Sequence, residues 1–386
     1  MNRPDVALIS PFPSLGDRHG GWTGVAPYAA NLTGALREAG ARVTVLASRE
    51  EDEPDVARDG DLEVRRVWSR GPAALPAAAQ AARATGAPAV HLQHELFLYG
   101  GPAAVPGIVP ALAGLRARGR RAVVTMHHVV DPAGVDAGFV RTHRVRAPVP
   151  LVRAGVSGVH EAIRRLADAV VVHEPAFAEV VDGAHVVPHG IERPERVDRA
   201  AARAALGVPE DRLCVLCFGF LSPYKGLEAA VEGARLAGDV VQLVVAGGEH
   251  PRLVAEGDDY AARLRAGAPH ARFTGFVADA DVARWFAAAD VLLLPYPRPF
   301  ATSGPLALAI AHHTPTLVSP ALAATTGASD AHVTDLAPAR IAARLRELAA
   351  DPAALDALRE STAALAAGRT WPEIAQRHLE LYGVAA

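Results

Sequence analysis

Lys225 is the residue whose position most directly suggests chemistry. It follows the apolar segment Cys214–Gly219 in a turn that reads Phe-Leu-Ser-Pro-Tyr-Lys-Gly, at the mouth of the next helix. A lysine there can place its ammonium group next to a phosphate that faces the helix amides. A lysine in a turn is often only solvated. Its place at the carboxyl end of a predicted strand favours a phosphate-binding role.

A second turn, between Pro295 and Leu306, also precedes a helix. Ser303 or Thr302 can cap that helix, and Pro305 suits its first turn. The free amides at such a helix start would receive a diphosphate without a metal ion. Helix starts of this kind are common, so the turn alone is weak evidence.

The first apolar segment is followed by a glycine-rich stretch, Pro11–Gly24, and then by the amphipathic stretch Val25–Ala39. Glycines at a junction between strand and helix let backbone amides approach an anion. The spacing is not the G-x-G-x-x-G of dinucleotide-binding proteins. A ligand-binding loop and a flexible loop with a glycine helix start both fit this stretch.

Two segments contain histidines at or near predicted strand ends. His127 follows an apolar strand, and its imidazole can donate and accept hydrogen bonds, either to a sugar hydroxyl or to other protein groups. The segment His91–Glu95 offers two imidazoles and a carboxylate, but His91 and His94 point to opposite faces of a strand. The sequence therefore predicts no metal site.

The composition narrows the class of protein. At roughly 150 residues per domain, 386 residues indicate two to three domains. The net charge of -3 lacks the basic excess of nucleic-acid-binding proteins. Cys214 and Cys217 lie in one apolar strand, which favours buried core thiols in a reducing compartment over a redox pair. With no signal peptide or membrane-length apolar run, we expect a soluble cytoplasmic protein.

An arginine-rich segment lies between Arg141 and Arg165. It contains six arginines against one acidic residue, Glu161. Such a segment is compatible with an anionic acceptor, with a weak contact to a membrane surface, or with a solvated loop.

Apolar segments alternate with helical stretches in two blocks, which predicts two doubly wound, Rossmann-like α/β domains. The predicted strands are Val6–Ser10, Arg42–Leu46, Val90–Gln93, Ala122–Met126, Ala169–His173, Cys214–Gly219, Val241–Ala246, Arg272–Thr274, Val291–Leu294 and Thr316–Ser319. We predict an N-terminal domain over 1–192, joined by a C-terminal helix at 369–386, and a second domain over 205–368. Ligands bind beyond the carboxyl ends of such strands, so two facing sheets would form a cleft.

The order of these motifs resembles the family 4 glycosyltransferases of GT-B fold, also called glycosyl transferases group 1, over nearly the whole chain. The matching motifs are Gly24-Val-Ala-Pro-Tyr28, His127, Val187-Pro-His-Gly-Ile191, Gly219 to Lys225-Gly226, Gly275-Phe-Val277, Ala289-Asp-Val291 and Pro295-Tyr296. Gly247-Gly-Glu-His-Pro251 and Ser303-Gly-Pro-Leu306 are similar to one subgroup of that family.

The resemblance implies an enzyme that needs no metal or other cofactor and moves a hexose from a nucleotide-diphosphate sugar, with retention of configuration, to a carbohydrate or small-molecule acceptor. It implies that Lys225 and His127 are catalytic. The donor-binding residues implied are Gly24, Gly219, Gly226, Gly275, Phe276, Val277, Arg298, Thr302, Ser303 and Gly304. Gln93, Glu95 and His128 are the residues expected on the acceptor side.

The sequence departs from the family pattern at three positions. Phe220 stands where the family has an arginine, and Arg298 is a candidate to replace that charge. Phe300 and Leu308 stand where the family has paired glutamates. These departures keep open an alternative: a catalytically silent GT-B protein that binds a sugar nucleotide or a protein partner. A dehydrogenase is remote because the dinucleotide fingerprint is absent.

Overall fold

The computed structural model describes residues 3–17, 23–142, 145–249, 254, 257–298 and 303–384. The chain divides into two compact units. The first holds Met1–Gly190 and Trp371–Ala386, and the second holds Ile191–Pro299 and Ser303–Thr370. Each unit is built on one sheet with buried apolar clusters.

The first unit contains an eight-stranded sheet. Its strands are β1 (Val6–Ile9), β2 (Val43–Ser48), β3 (Val56–Asp59), β4 (Leu62–Trp68), β5 (Ala89–His94), β6 (Arg121–Met126), β7 (Ala169–Val172) and β8 (His185–Val186). They lie in the order β3-β4-β2-β1-β5-β6-β7-β8, and only the pair β3 and β4 is antiparallel. The central strands are buried along their whole length, as expected for a parallel sheet covered on both faces.

Helices connect these strands. They are α1 (Val25–Glu38), α2 (Ala74–Thr85), α3 (Ile108–Arg116), α4 (Ala137–Thr142), α5 (Val149–Leu166) and α6 (Pro175–Val180). Helix α2 packs in one apolar cluster with β1 and β5, and α1 packs in a second cluster that also contains residues of β1. The parallel connections orient all carboxyl strand ends, except that of β3, toward one edge of the sheet.

The second unit contains a five-stranded, fully parallel sheet. Its strands are β9 (Leu213–Phe218), β10 (Val241–Ala246), β11 (Arg272–Gly275), β12 (Val291–Leu294) and β13 (Thr316–Val318), in the order β11-β10-β9-β12-β13. The described helices around it are α7 (Arg199–Leu206), α8 (Leu227–Ala237), α9 (Tyr260–Ala266), α10 (Asp279–Ala288), α11 (Gly304–His312), α12 (Pro320–Thr326), α13 (Pro338–Ala350) and α14 (Pro352–Ala364).

The last helix, α15 (Trp371–Tyr382), returns to the first unit. Its apolar face, with Trp371, Ile374 and Leu379, packs into the cluster that contains Tyr28 and Leu32 of α1. A Cβ atom at Gly190 would lie 2.5 Å from the Trp371 ring, so the indole occupies space that only a glycine leaves open.

The α/β fold class predicted from the sequence is confirmed, and all ten predicted strands are present. Strands β3, β4 and β8 are not predicted from the sequence. Strand β4 reads Leu-Glu-Val-Arg-Arg-Val-Trp, whose charges hide its β pattern. Arg66 of that strand is nevertheless buried and pairs with Glu53 at 2.9 Å. The expectation that Cys214 and Cys217 are buried core thiols is also confirmed.

Asp290, just before β12, ties α7 to the second sheet. Its carboxylate accepts hydrogen bonds from Arg203, from Arg199 at 2.7 Å and from the backbone amide of Cys214 at 2.7 Å. Arg203 has no exposed surface and also donates to the carbonyl of Ala288 at 3.0 Å. A buried guanidinium whose carboxylate partner is removed is left uncompensated.

We therefore expect Asp290→Asn to lower the free energy of unfolding by about 3–5 kcal/mol. The control is Glu232→Gln, which breaks the solvent-exposed helical pair with Arg235 and should change the free energy of unfolding far less, because water screens that pair. Urea unfolding of both variants measures the difference. Equal losses in the two variants would show that Asp290 does not hold a buried charge.

Candidate functional site

Lys225 lies buried beyond the end of β9. It is 5% exposed, and its Nζ donates a hydrogen bond to the carbonyl oxygen of Phe218 at 3.2 Å. Burial lowers the pKa of Lys225 to about 8, so the amine is still mostly protonated at pH 7. Lys225 is also the only lysine in the 386-residue sequence.

Glycines create the space around this ammonium group. Gly219 has a φ of 96°, and a Cβ atom there would lie 2.6 Å from Lys225 Nζ. At Gly247 a Cβ atom would lie 2.1 Å from the Gly219 carbonyl oxygen. Gly226 has a φ of 63°, and its Cβ would lie 2.3 Å from the carbonyl oxygen of Pro295. The ends of β9, β10 and β12 approach each other closely because these positions have no side chains.

The start of α11 lies next to the same turn. Ser303 caps the helix, its Oγ accepting a hydrogen bond from the Leu306 amide at 3.3 Å. The ring of Pro305 lies 3.5 Å from the point that a Cβ on Gly219 would occupy. The first-turn amides of α11, including that of Gly304, therefore begin beside the Lys225 turn.

The end of β11 extends the same edge. Gly275 has a φ of 71° and forms a bridge with Gly247. Phe276 is 74% exposed, whereas Val277 packs partly into the core. A Cβ on Gly248 would lie 3.5 Å from Cβ of Phe276. The edge thus carries an exposed aromatic ring beyond the glycine cluster.

The structure therefore gathers most of the predicted donor residues at one edge of the second sheet. Contacts connect Gly219, Gly226, Gly275, Phe276 and Lys225 with the start of α11. Arg298 follows β12 along the chain, and Thr302 lies outside the described residues.

Gly24 belongs to the first unit and precedes α1. Its φ of -61° is ordinary for a helix, and no atom lies within 4 Å of the position of a Cβ. The local backbone therefore does not require a glycine at this position. Its implied contact with phosphates stays a prediction.

His127 lies at the carboxyl edge of the first sheet, after β6. Its Nε2 lies 2.6 Å from the side-chain oxygen of Gln93, and its Nδ1 lies 3.2 Å from Nε2 of His173. Nδ1 of His173 in turn donates to the Val187 carbonyl at 2.9 Å. Both ring nitrogens of His127 thus have protein partners. Burial and the neighbouring histidines hold its pKa well below the usual value, which leaves the ring neutral.

The hydrogen bonds continue to the last helix. The Tyr382 hydroxyl lies 2.7 Å from Nδ1 of His91, and Nε2 of His91 lies 2.7 Å from Oγ1 of Thr125. The Tyr28 ring packs edge-on against His127, with ring centroids 4.6 Å apart. Polar groups of α15 and the sheet therefore form one buried network. The sequence does not single out His173, although this residue follows β7 as His127 follows β6.

Glu95 follows β5 at the same edge of the first sheet. Burial raises the pKa of its carboxyl group to about 7. The neighbouring residue His94 is 6% exposed, and burial lowers its pKa to about 4. His128 is half-buried beside His127. Of the residues expected on the acceptor side, Glu95 and His128 follow the adjacent strands β5 and β6, whereas Gln93 is fully buried within β5.

The arginine-rich segment of the first unit is partly engaged in contacts with the protein. Arg153 donates to the carbonyl of Val135 at 2.9 Å. Arg164 and Arg165 pair with Glu161 at 2.8 Å and 2.5 Å. Arg144 lies outside the described residues. Among the helices that the structure describes, none is both long and apolar enough for a membrane span.

Comparisons with known proteins agree with this architecture. The sequence profile of the family "Glycosyl transferases group 1" matches residues 212–351, which contain Lys225 and all five strands of the second sheet. D-inositol 3-phosphate glycosyltransferase 1 of Catenulispora acidiphila is 31% identical to this chain, over 72% of the chain and 69% of the relative.

Solved structures share the fold over almost the whole chain. Sucrose-phosphate synthase from Thermosynechococcus elongatus superposes with a TM-score of 0.72 at 22% identity, over 99% of this chain and 98% of that one. HepE of Anabaena in complex with UDP and glucose gives a TM-score of 0.68 at 15% identity, over 99% and 100%.

Two Rossmann-like units with a C-terminal helix that returns to the first one are the architecture of a GT-B glycosyltransferase. The chain belongs to the glycosyl transferases group 1 family and is a glycosyltransferase.

The buried histidines make the stability of the first unit depend on pH. His94 and His378 have folded-state pKa values of about 4, and those of His91 and His127 are also lowered by burial. Unfolded histidine titrates near 6.5, so between these values the unfolded chain binds more protons. The stabilisation is complete above pH 6.5 and is lost as the pH falls toward 4. Glu95 has the opposite effect on stability, because its raised pKa lets the folded state keep one proton that the unfolded state releases between about pH 4.5 and pH 7.

We expect the free energy of unfolding to fall between pH 7.5 and pH 5. His378→Phe should reduce the slope, because it removes one group that the unfolded state protonates preferentially. Urea unfolding at several pH values measures both slopes. A profile that is flat between pH 7.5 and pH 5 would mean that these histidines are not buried as neutral rings.

The single lysine allows a direct measurement at the second site. Protein grown with 15N-labelled lysine has one side-chain amine signal, and we expect it to titrate near pH 8. Addition of UDP should move the midpoint upward, because a nearby diphosphate stabilises the charged amine. A midpoint near 10.5 in the free protein would show that Lys225 is solvated.

Proposed function

We propose that the enzyme transfers a hexose from a nucleoside-diphosphate sugar to a carbohydrate or small-molecule acceptor, with retention of the anomeric configuration and without a metal ion. The observation that carries this proposal is the buried ammonium group of Lys225 beside the first-turn amides of α11. Ammonium and helix amides together stabilise a departing diphosphate. HepE, which shares the fold, has been solved with UDP-glucose.

The second unit would bind the donor and the first unit the acceptor. The diphosphate would contact Lys225 Nζ and the α11 amides, with Gly219 allowing close approach. The base would lie near the edge that carries Gly275 and Phe276. In the first unit, Glu95 and His128 would contact the acceptor and His127 would contact the sugar, while Gln93, which is fully buried, would hold His127 in place.

The transfer step needs no protein base. The acceptor oxygen bonds to the anomeric carbon while the bond from that carbon to the diphosphate oxygen breaks. The acceptor proton passes to the same departing phosphate oxygen, on the face from which the acceptor enters. Lys225 and the helix amides stabilise the charge that develops on the diphosphate.

The preference for lysine over arginine at residue 225 follows from the space available. Every other basic residue of the Lys or Arg type in this chain is an arginine. Nζ of Lys225 lies beside Gly219, where a Cβ atom would come within 2.6 Å of it. A planar guanidinium is larger than an ammonium and needs a wider pocket. This position therefore selects a compact cation.

The departures from the family pattern favour a subgroup that binds the donor through different residues. Phe220 is 43% exposed, so it contributes an aromatic surface where the family has a charge. Leu308 packs partly into the core of the second unit, and Phe300 lies outside the described residues. Arg298 and the Ser303–Gly304 turn would supply the missing contacts. The alternative, a silent protein that binds a sugar nucleotide, rests on the same three positions.

The first experiment is a calorimetric screen against UDP, GDP, ADP and dTDP and their hexose derivatives in the presence of EDTA. We expect one base to bind selectively and its sugar to be turned over with an acceptor. Lys225→Met and Lys225→Arg should each reduce turnover by roughly a hundredfold. Arg340→Ala, an exposed change on α13, is the matched control and should leave turnover unchanged.

The outcomes separate the two functions. Binding without turnover in the wild type would favour the silent protein. Normal turnover in a folded Lys225→Met variant would remove Lys225 from the mechanism. Binding that EDTA abolishes would contradict metal independence.

A further inference from the structure

The second unit has a cavity of about 980 Å³ at the amino edge of its sheet. Its walls are the segment 193–199, the ends of α10 and α11, residues 313–315 before β13, and Arg359 of α14. Parallel strands place their amino and carboxyl ends at opposite edges. The cavity is therefore separate from the edge that carries Lys225.

The charges around the cavity are unbalanced. Four arginines and one acidic residue, Glu195, line it. Arg199 is paired with Asp290 at 2.7 Å, and Arg359 is paired with Asp356. Arg193 and Arg196 are exposed and make no ion pair or hydrogen bond with another described residue. Two guanidinium groups are thus available to an anion.

The carboxyl ends of α10 and α11 also meet at the cavity, and their partial negative charge attracts cations. Several of their carbonyls already have partners within the protein. Phe286 O accepts from Thr314 Oγ1 at 3.1 Å, and Ala288 O accepts from Arg203 at 3.0 Å. Ile310 O accepts from the backbone amide of His313. Arg193 and Arg196 make no hydrogen bond with any described carbonyl, so they do not cap these helices.

The floor of the cavity is apolar. The rings of Phe286 and His312 stack with centroids 5.2 Å apart and an interplanar angle of 16°. Burial and the neighbouring His313 hold the pKa of His312 at about 4, so its ring is neutral at pH 7. Ala289 and Pro315 complete this surface. A cavity of this size with an apolar floor and two cationic groups suits a small organic anion.

We propose that this cavity binds a small phosphomonoester. Arg193 and Arg196 hold the phosphate, since guanidinium groups match phosphate oxygens in charge and geometry. The organic part of the ligand lies against the stacked rings of His312 and Phe286. This second site does not depend on the donor site of the proposed function.

Calorimetry with phenyl phosphate and with inorganic phosphate tests the proposal at fixed ionic strength. Phenyl phosphate should bind the wild type more tightly than inorganic phosphate, because its ring reaches the apolar floor. The variant Arg193→Glu/Arg196→Glu should bind phenyl phosphate at least tenfold more weakly. The control Arg340→Glu/Arg377→Glu has the same change in charge at exposed positions outside the cavity and should bind as the wild type does.

Lys225→Met separates this cavity from the phosphate-binding edge. If phenyl phosphate binding persists in Lys225→Met and is lost in Arg193→Glu/Arg196→Glu, the second site is supported. Binding lost in Lys225→Met alone, equal loss in the two charge-reversal variants, or no binding to the wild type at millimolar ligand would overturn the proposal. Urea unfolding confirms that each variant is folded.

Discussion

The close backbone approach at the carboxyl edge of the second sheet is the constraint on which the candidate site depends. The position of a Cβ at Gly247 is taken by the carbonyl of Gly219, and that at Gly226 by the carbonyl of Pro295. A side chain at either position would push two strand ends apart. The strand ends in turn hold the turn that buries Lys225 and the start of α11. Charge stabilisation by fixed groups of this kind needs no rearrangement when the reaction occurs.

In the first unit, several histidine and tyrosine rings are buried in uncharged form. His91, His127 and His173 have hydrogen-bond partners inside the protein, and burial lowers the pKa of the first two. Tyr382 connects this network to the last helix of the chain. The position of Gln93 and His127 therefore depends on Tyr382, which bonds to His91 from 291 positions further along the sequence.

The sequence predicts the two sheets well because buried parallel strands are short, continuous apolar runs. It also places Lys225, Gly219 and Ser303 near one another, since carboxyl strand ends share an edge. It does not reveal β4, because the burial of Arg66 depends on a partner, Glu53, from another loop. Nor does it reveal the partners of His127. Those contacts join strands and a helix that are distant in sequence, and no local pattern encodes them. The charges of Arg193 and Arg196 are visible in the sequence, but the cavity beside them is not.

The composition has a chemical consequence for the whole surface. With Lys225 the only lysine and 5% exposed, the chain has a single side-chain amine, and that amine is shielded. Arginine remains protonated at any ordinary pH and does not react with acylating reagents. Apart from the α-amino group of the chain, amine-directed reagents therefore find one side-chain target, and it lies at the edge where we propose that the donor diphosphate binds.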